Sequence, residues 1–161
     1  MLLFLDYDGV LHPDAVYRRV DGQIELLSEG ALFMWAPLLE ELLQPFPEVG
    51  IVLSTSWVRN LGFQRAKGML SAALAARLVG ATWHSAMKRN STDTVLWDQQ
   101  SRYEQIATYL NRLGRFDSWL AIDDDGSGWP EDSLHRLVKT DGMLGISEAR
   151  VRQEIISTLR R

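Results

Sequence analysis

The chain opens Met1-Leu2-Leu3-Phe4-Leu5-Asp6-Tyr7-Asp8-Gly9-Val10-Leu11-His12-Pro13, an apolar run of strand length that ends on two carboxylates one residue apart and then a glycine. Two ionised carboxylates about 4 Å apart repel by about 1 kcal/mol in water and by about 4 kcal/mol at an intermediate effective dielectric. Such a pair at the end of a buried strand calls for a cation beside it, and a hard, oxygen-seeking metal such as magnesium suits the ligands. The plainer reading is a polar turn closing a strand. Two further clusters weigh against that reading: Ser54, Thr55 and Ser56 follow the apolar segment 50–53, and Asp123, Asp124 and Asp125 follow the apolar segment 119–122. One cluster alone is explained by the preference of Asp and Ser for turns and caps, but all three together are less easily explained so. A calcium loop of the EF-hand type starting at Asp6 fails, because its twelfth position is Tyr17 rather than Glu.

Composition narrows the classes. At 161 residues, 46% hydrophobic and 24% charged, the chain suits one soluble globular domain over residues 1–161, with a core large enough to need no staples. The absence of cysteine excludes disulfides and thiolate metal sites, and His12, His84 and His135 lack the spacing of a zinc-binding helix. No segment has the length and apolar purity of a membrane span or the layout of a secretion signal, so no membrane partner and a cytoplasmic location are expected. A formal net charge of −4 argues against a broad footprint for nucleic acid and leaves room for a local basic patch.

The elements that must position these side chains follow from periodicity. Segments 2–5, 50–53, 119–122 and, more weakly, 135–139 read as strands buried on both faces. Between them lie helical patterns: Leu39, Leu42 and Leu43, in a helix starting near Ala36 or kinked at Pro37; then Met69, Ala72, Ala73 and Ala76; then Ile106, Tyr109, Leu110 and Leu113, stopped by Gly114. Ser147 is expected to cap a last helix carrying Val151, Ile155 and Leu159. Strands alternating with helices predict an α/β fold: a Rossmann-like three-layer domain whose central, mostly parallel sheet puts all strand carboxyl ends on one edge, where ligands bind. Asp21-Gly22 between short β-prone runs predicts a hairpin over 16–27 that projects over that edge. Residues 81–100 read as a short strand at 82–84 followed by an irregular loop.

The motifs, taken in order, resemble those of the haloacid dehalogenase-like (HAD) phosphohydrolase superfamily. Leu2 to Leu11 is similar to the hhhhDxDGxh motif, Ile51-Val52-Leu53-Ser54 to the second-strand motif, and Leu120-Ala121-Ile122-Asp123-Asp124 to the acidic motif. Asp-Gly-Val-Leu-His and Leu-Ser-Thr-Ser-Trp resemble the small bacterial HAD domains described with RNA-repair proteins.

The resemblance implies that Asp6 is a nucleophile forming an aspartyl-phosphate and that Asp8 is the acid/base. It implies Mg2+ held by the Asp6 carboxylate, the Asp8 carbonyl and Asp123 or Asp124, with Asp123 preferred. Ser54 would hold a phosphoryl oxygen, helped by the N–H groups of Thr55 and Tyr7, while Gly9 allows a sharp turn. The superfamily's basic residue falls on Arg102 or Lys88, and Arg102, four residues before Ile106, is preferred.

His12 either contacts a leaving group or packs against Pro13, the second being preferred. Trp57, beside Ser56 in the substrate-binding loop, either stacks on a base or covers the core. Arg59, Arg65, Lys67, Lys88 and Arg89, interleaved with Trp57, Phe63 and Trp83, either grip a nucleic-acid end or are scattered surface charge, the plainer reading.

No insertion of cap-domain size follows the first motif, so the cap is minimal and the site open. That fits a phosphorylated substrate such as a nucleotide or nucleic-acid end, or a protein partner that completes the site. The expected activity is a Mg2+-dependent phosphatase; phosphotransfer to a non-water acceptor and a non-catalytic phosphate- or partner-binding module are the alternatives.

Overall fold

The computed structural model describes residues 1–114 and 118–161. Seven strands lie along these residues: β1 (Leu2–Leu5), β2 (Val16–Arg18), β3 (Ile24–Leu26), β4 (Gly50–Leu53), β5 (Leu78–Ala81), β6 (Trp119–Asp123) and β7 (Leu137–Lys139). Five of them form a parallel sheet in the order β5-β4-β1-β6-β7, and β2 pairs with β3 as an antiparallel hairpin turned at Gly22. The helices are α1 (Ala36–Leu43), α2 (Ser56–Leu61), α3 (Phe63–Lys67), α4 (Ala72–Ala75), α5 (Ser85–Arg89), α6 (Ser91–Gln99), α7 (Arg102–Leu113) and α8 (Ala149–Leu159). No helix among the described residues is long and apolar enough to cross a membrane.

Alternation along the strands divides the core into two layers. Leu3 and Leu5 of β1, Ile51 and Leu53 of β4, and Leu120 and Ile122 of β6 pack on one face with Leu39 and Leu43 of α1 and Val151, Ile155 and Leu159 of α8. Phe4, Val52 and Ala121 point the other way, onto Ile106 and Leu110 of α7. Each central strand is therefore apolar on both faces, which is why these segments read as continuous hydrophobic runs. Leu5 pairs in register with Leu53 and with Ile122, so the three polar clusters emerge side by side at one edge.

The other parts of the chain depart from the periodic reading at definable places. The alanine face at 69–76 turns outward; Ala66, Leu70 and Leu74 are buried instead, because leucine removes more apolar area from water than alanine does. The strand expected at 82–84 ends at Ala81. The Thr82 N–H still reaches the Leu53 carbonyl at 2.9 Å, but β4 stops there and no strand remains to pair with. Residues 85–99 form α5 and α6 rather than an irregular loop, with the Asn90 side chain capping α6 through the Thr92 N–H. His135 and Arg136 belong to a 3₁₀ turn, Glu131–Arg136, because β7 pairs only from Leu137 onward. Ser147 does not cap α8, since its hydroxyl donates to the Leu144 carbonyl. Pro37 sits in the first turn of α1, where its missing N–H costs nothing.

Gly145 joins the end of the sheet to α8 with φ of 50°, and a Cβ there would meet the Val10 carbonyl oxygen at 2.5 Å and the Trp35 ring at 2.4 Å. Gly145→Ala is expected to lower stability by more than about 2 kcal/mol, read from the urea midpoint, because backbone strain and a clash with an immovable carbonyl add.

Candidate active site

Asp6 leaves β1 nearly buried, and each of its oxygens is engaged. Oδ1 accepts the Tyr7 N–H at 2.7 Å and Oδ2 accepts Nη2 of Arg102 at 3.0 Å. Arg102 also donates from Nε to Oδ2 of Asp123 at 2.9 Å, so one guanidinium forks across the ends of β1 and β6. Its position follows from local sequence. Ser101 and Glu104 form a reciprocal capping box that starts α7 at Arg102, and Gly114 ends the helix with φ of 62°. Gln105, one turn on and buried, accepts Nη1 of Arg102 at 3.1 Å and donates to the Trp97 carbonyl, which holds the guanidinium from behind. Lys88 lies in α5, away from this fork.

The three consecutive acids do different things. Asp123 is buried, with Oδ1 accepting the Asp125 N–H and Oδ2 on Arg102. Asp125 is exposed and accepts the Ser127 N–H at 2.8 Å, and the Ser127 side chain, then its N–H, lower the Asp125 pKa. Asp124 carries no ion pair among the described residues and lies against Gly9, where a Cβ would come within 2.5 Å of its carboxylate. Gly9 has φ of 68°, so both its turn and its missing side chain make room for this acid.

Oxygens of Asp6, Asp123 and Asp124 lie within 4.8 Å of one another, and among the described residues the guanidinium of Arg102 is the one paired with them. Three carboxylates against one cation leave two negative charges over, in a place where water is scarce. Burial pushes the Asp6 carboxyl up, with Asp8 adding to the push and Arg102 opposing it. Burial and the Asp6 charge push Asp123 well above the usual range. Burial, then Asp6 and Asp14, raise Asp124 to about 6. For Arg102 burial acts to lower the pKa, but the carboxylates of Asp6 and Asp123 outweigh it. An all-oxygen donor set with a surplus of two negative charges fits a hard divalent cation.

Beside this cluster, Ser54 is buried and its Oγ has no hydrogen-bond partner. A buried unsatisfied hydroxyl costs about 1–3 kcal/mol, and an anionic oxygen would satisfy it. Thr55 is also buried and caps α2 by accepting the Trp57 N–H at 3.4 Å. Ser56 opens α2 and lines a cavity of about 190 Å³ with Asp8, Asp14, Asn60 and, from the hairpin, Val16 and Arg18. The hairpin thus borders the site mouth. Tyr7 keeps its ring in the core, its hydroxyl donating to the Ala66 carbonyl, and its N–H is taken by Asp6 rather than left for a ligand.

Asp8 is held by two aromatic side chains that the sequence reading assigned elsewhere. Trp57 Nε1 donates to both of its oxygens, at 3.0 and 3.1 Å, and His12 Nε2 lies 3.0 Å from Oδ1. The Trp57 ring is buried, so it presents no free face for a base. His12 is fully buried and does not meet solvent. Its Nδ1 accepts the Phe33 N–H at 3.1 Å, which leaves Nε2 to carry the proton toward Asp8 in the neutral ring. Phe33 reaches that position with φ of 59°, a left-handed conformation costing a bulky residue about 1–3 kcal/mol. Tyr7, His12, Phe33 and Trp57 stack edge to face beneath Asp8, with centroids 4.8 to 5.8 Å apart. Thr140, at the end of β7, closes the other side by donating to the Gly9 carbonyl at 2.7 Å. Of the residues overlooked in sequence, Ser101 was marked by its spacing from Glu104; Phe33, Gln105 and Thr140 carried no local signal.

The model of the family described as "HAD domain in Swiss Army Knife RNA repair proteins" matches residues 2–151. No curated protein and no solved structure matches the chain significantly.

Ser54→Ala is expected to leave the urea midpoint unchanged or slightly raised while weakening binding of inorganic phosphate, because the mutation removes a hydroxyl that only a ligand would satisfy. The folded Asp124 carboxyl, at about 6, holds its proton more tightly than in the unfolded chain. Its contribution to stability is full below the unfolded pKa and lost as pH rises through the folded one. Urea midpoints of metal-free protein are therefore expected to fall between pH about 4 and about 6, and Asp124→Asn to flatten part of that fall.

Proposed function

Because the chain belongs to the family of HAD domains in Swiss Army Knife RNA repair proteins, we propose that it is a magnesium-dependent phosphohydrolase that cleaves a phosphate monoester, with a nucleotide or nucleic-acid terminal phosphate as substrate. The observation that carries this reading is the Arg102 fork, which holds Asp6 Oδ2 at 3.0 Å beside two further carboxylates at the sheet edge.

An oxygen of Asp6 attacks phosphorus in line and displaces the ester oxygen. Asp8 gives that oxygen its proton, so the alcohol departs neutral and an aspartyl-phosphate remains. Asp8, now a carboxylate, takes a proton from water, whose oxygen attacks phosphorus and restores Asp6 with release of phosphate. Arg102 offsets the charge of an anionic nucleophile that must approach an anionic substrate, and its forked geometry keeps Asp6 in one rotamer. Ser54 donates its hydroxyl to a phosphoryl oxygen. Trp57 and His12 limit the freedom of Asp8, so that its proton is delivered along one direction. Asp6, Asp123 and Asp124 would hold magnesium, which when bound supplies the missing positive charge.

The test is phosphate release from nucleotides, sugar phosphates, phosphopeptides and oligonucleotides phosphorylated at either end, with and without magnesium. Release is expected only with the metal, highest on the nucleotide and oligonucleotide members, and reduced at least about a thousandfold in Asp6→Asn, which removes the nucleophile. Arg102→Lys keeps the charge but loses the fork, and a drop of at least about tenfold in kcat is expected. No release from folded, magnesium-loaded protein would overturn the proposal.

A further inference from the structure

A large cavity lies away from Asp6. It is a groove of about 1050 Å³ lined by residues of α2, α3, β5, α5 and the last turn of α7. Small-molecule pockets run to about 300–1,000 Å³, so this one is roomy for a single nucleotide. Its charge is the informative feature. Arg59, Arg65, Lys88 and Arg112 line it, and no Asp or Glu does among the described residues, although the chain as a whole carries −4. Arg59 is offset by Asp98, on which its Nη2 sits at 2.5 Å; Arg65, Lys88 and Arg112 are exposed. The rest of the lining is largely apolar and aromatic. Phe63 and Tyr109 are partly exposed, Trp83 is buried with Arg59 5.7 Å over its ring, and Arg112 lies 5.9 Å over the Tyr109 ring. Cations spaced among aromatic faces suit a ligand that alternates charge with flat π surfaces, which an acidic peptide lacks and a single-stranded polynucleotide has. A paired duplex keeps its base faces stacked away from such a wall. The groove lies next to the site: Leu61 lines both it and the small cavity bordered by Asp8 and Ser56, so the two lie on either side of α2.

We propose that this groove binds the body of a single-stranded polynucleotide, whose bases lie against the partly exposed rings of Phe63 and Tyr109 while Arg65, Lys88 and Arg112 meet its phosphates. The strand's terminal phosphate then passes over Leu61 toward Asp6, a link that rests on the phosphohydrolase reading, whereas strand binding does not. Three phosphate contacts predict a log-log salt slope of about −2 for a single strand.

The probe is a fluorescein-labelled oligouridylate of about twelve nucleotides with no terminal phosphate, followed by fluorescence anisotropy across a sodium chloride series. An oligoglutamate of the same length controls for charge alone. The expected result is saturable binding of the oligouridylate with that slope, weak or no binding of the oligoglutamate, and at least a tenfold loss of oligouridylate affinity in Arg65→Glu/Lys88→Glu. The thermal midpoint of this variant, and its turnover of p-nitrophenyl phosphate, are expected to match wild type. Equal binding of the oligoglutamate, or an oligouridylate affinity the variant leaves unchanged, overturns the proposal. Because the probe carries no phosphate monoester for Asp6, a protein that binds it through the groove yet releases no phosphate from any monoester would refute the catalytic reading and leave this one standing. Phosphate release without oligouridylate binding would do the reverse.

Discussion

One buried guanidinium organises the active edge. Asp6 and Asp123 both lie out of water at the ends of adjacent strands, and neither could stay ionised there without a cation. Arg102 supplies it, and the architecture around it can be understood as what holds that one side chain in place. The capping box at Ser101 and Glu104 sets where α7 begins, Gln105 braces the guanidinium, and Phe4, Val52 and Ala121 seat Ile106 and Leu110 so that the helix points its first turn at the strand ends. Removing one partner of a buried charge pair leaves the other uncompensated, typically at a cost of about 3–5 kcal/mol. The arrangement is thus a stability element.

Compensation is incomplete, and that shapes the chemistry. Burial raises Asp6, Asp123 and Asp124, neighbouring carboxylates add to the rise, and Arg102 answers only one charge of three, so all three hold protons more tightly than free carboxylates do. A divalent cation would supply the positive charge that Arg102 leaves uncompensated. Asp8 is held differently. It sits above an aromatic stack and receives hydrogen bonds from Trp57 Nε1 and His12, the latter oriented by a strained Phe33. Strain of this kind persists only where surrounding packing over-determines it, and here Tyr7, Trp57 and His12 supply that packing. The two carboxylates of the first motif, one residue apart, therefore occupy contrasting environments: one forked to a cation, the other clamped by neutral rings.

Outside this edge two cavities flank α2. The hairpin of β2 and β3 borders the mouth over Asp8, while α2 carries polar residues toward the site on one side and Arg59 toward the long groove on the other. A helix of six residues is thereby a wall shared by two cavities. This economy is possible because Thr55 caps it at the strand end and Gly62 stops it, with φ of 88°, before it can grow past the groove.

The amino-acid sequence by itself determined the parallel α/β sheet, since strands apolar on both faces can be buried only between helix layers, and it determined which strand ends carry carboxylates and hydroxyls. The hairpin at Gly22 and the stop at Gly114 were legible because each rests on local backbone conformation. Where several local choices were equally good, tertiary structure decided. Three adjacent acids could not be ranked in sequence; the direction of β6 and the seat of Arg102 turn Asp123 inward, Asp124 onto Gly9 and Asp125 to solvent. The alanine pattern at 69–76 lost its face to Leu70 and Leu74, because burial follows the larger apolar area. His12 and Trp57 joined Asp8 only through packing: a ring nitrogen's partner depends on what lies within about 3 Å in space, and along the chain Trp57 stands 49 residues from the carboxylate it holds.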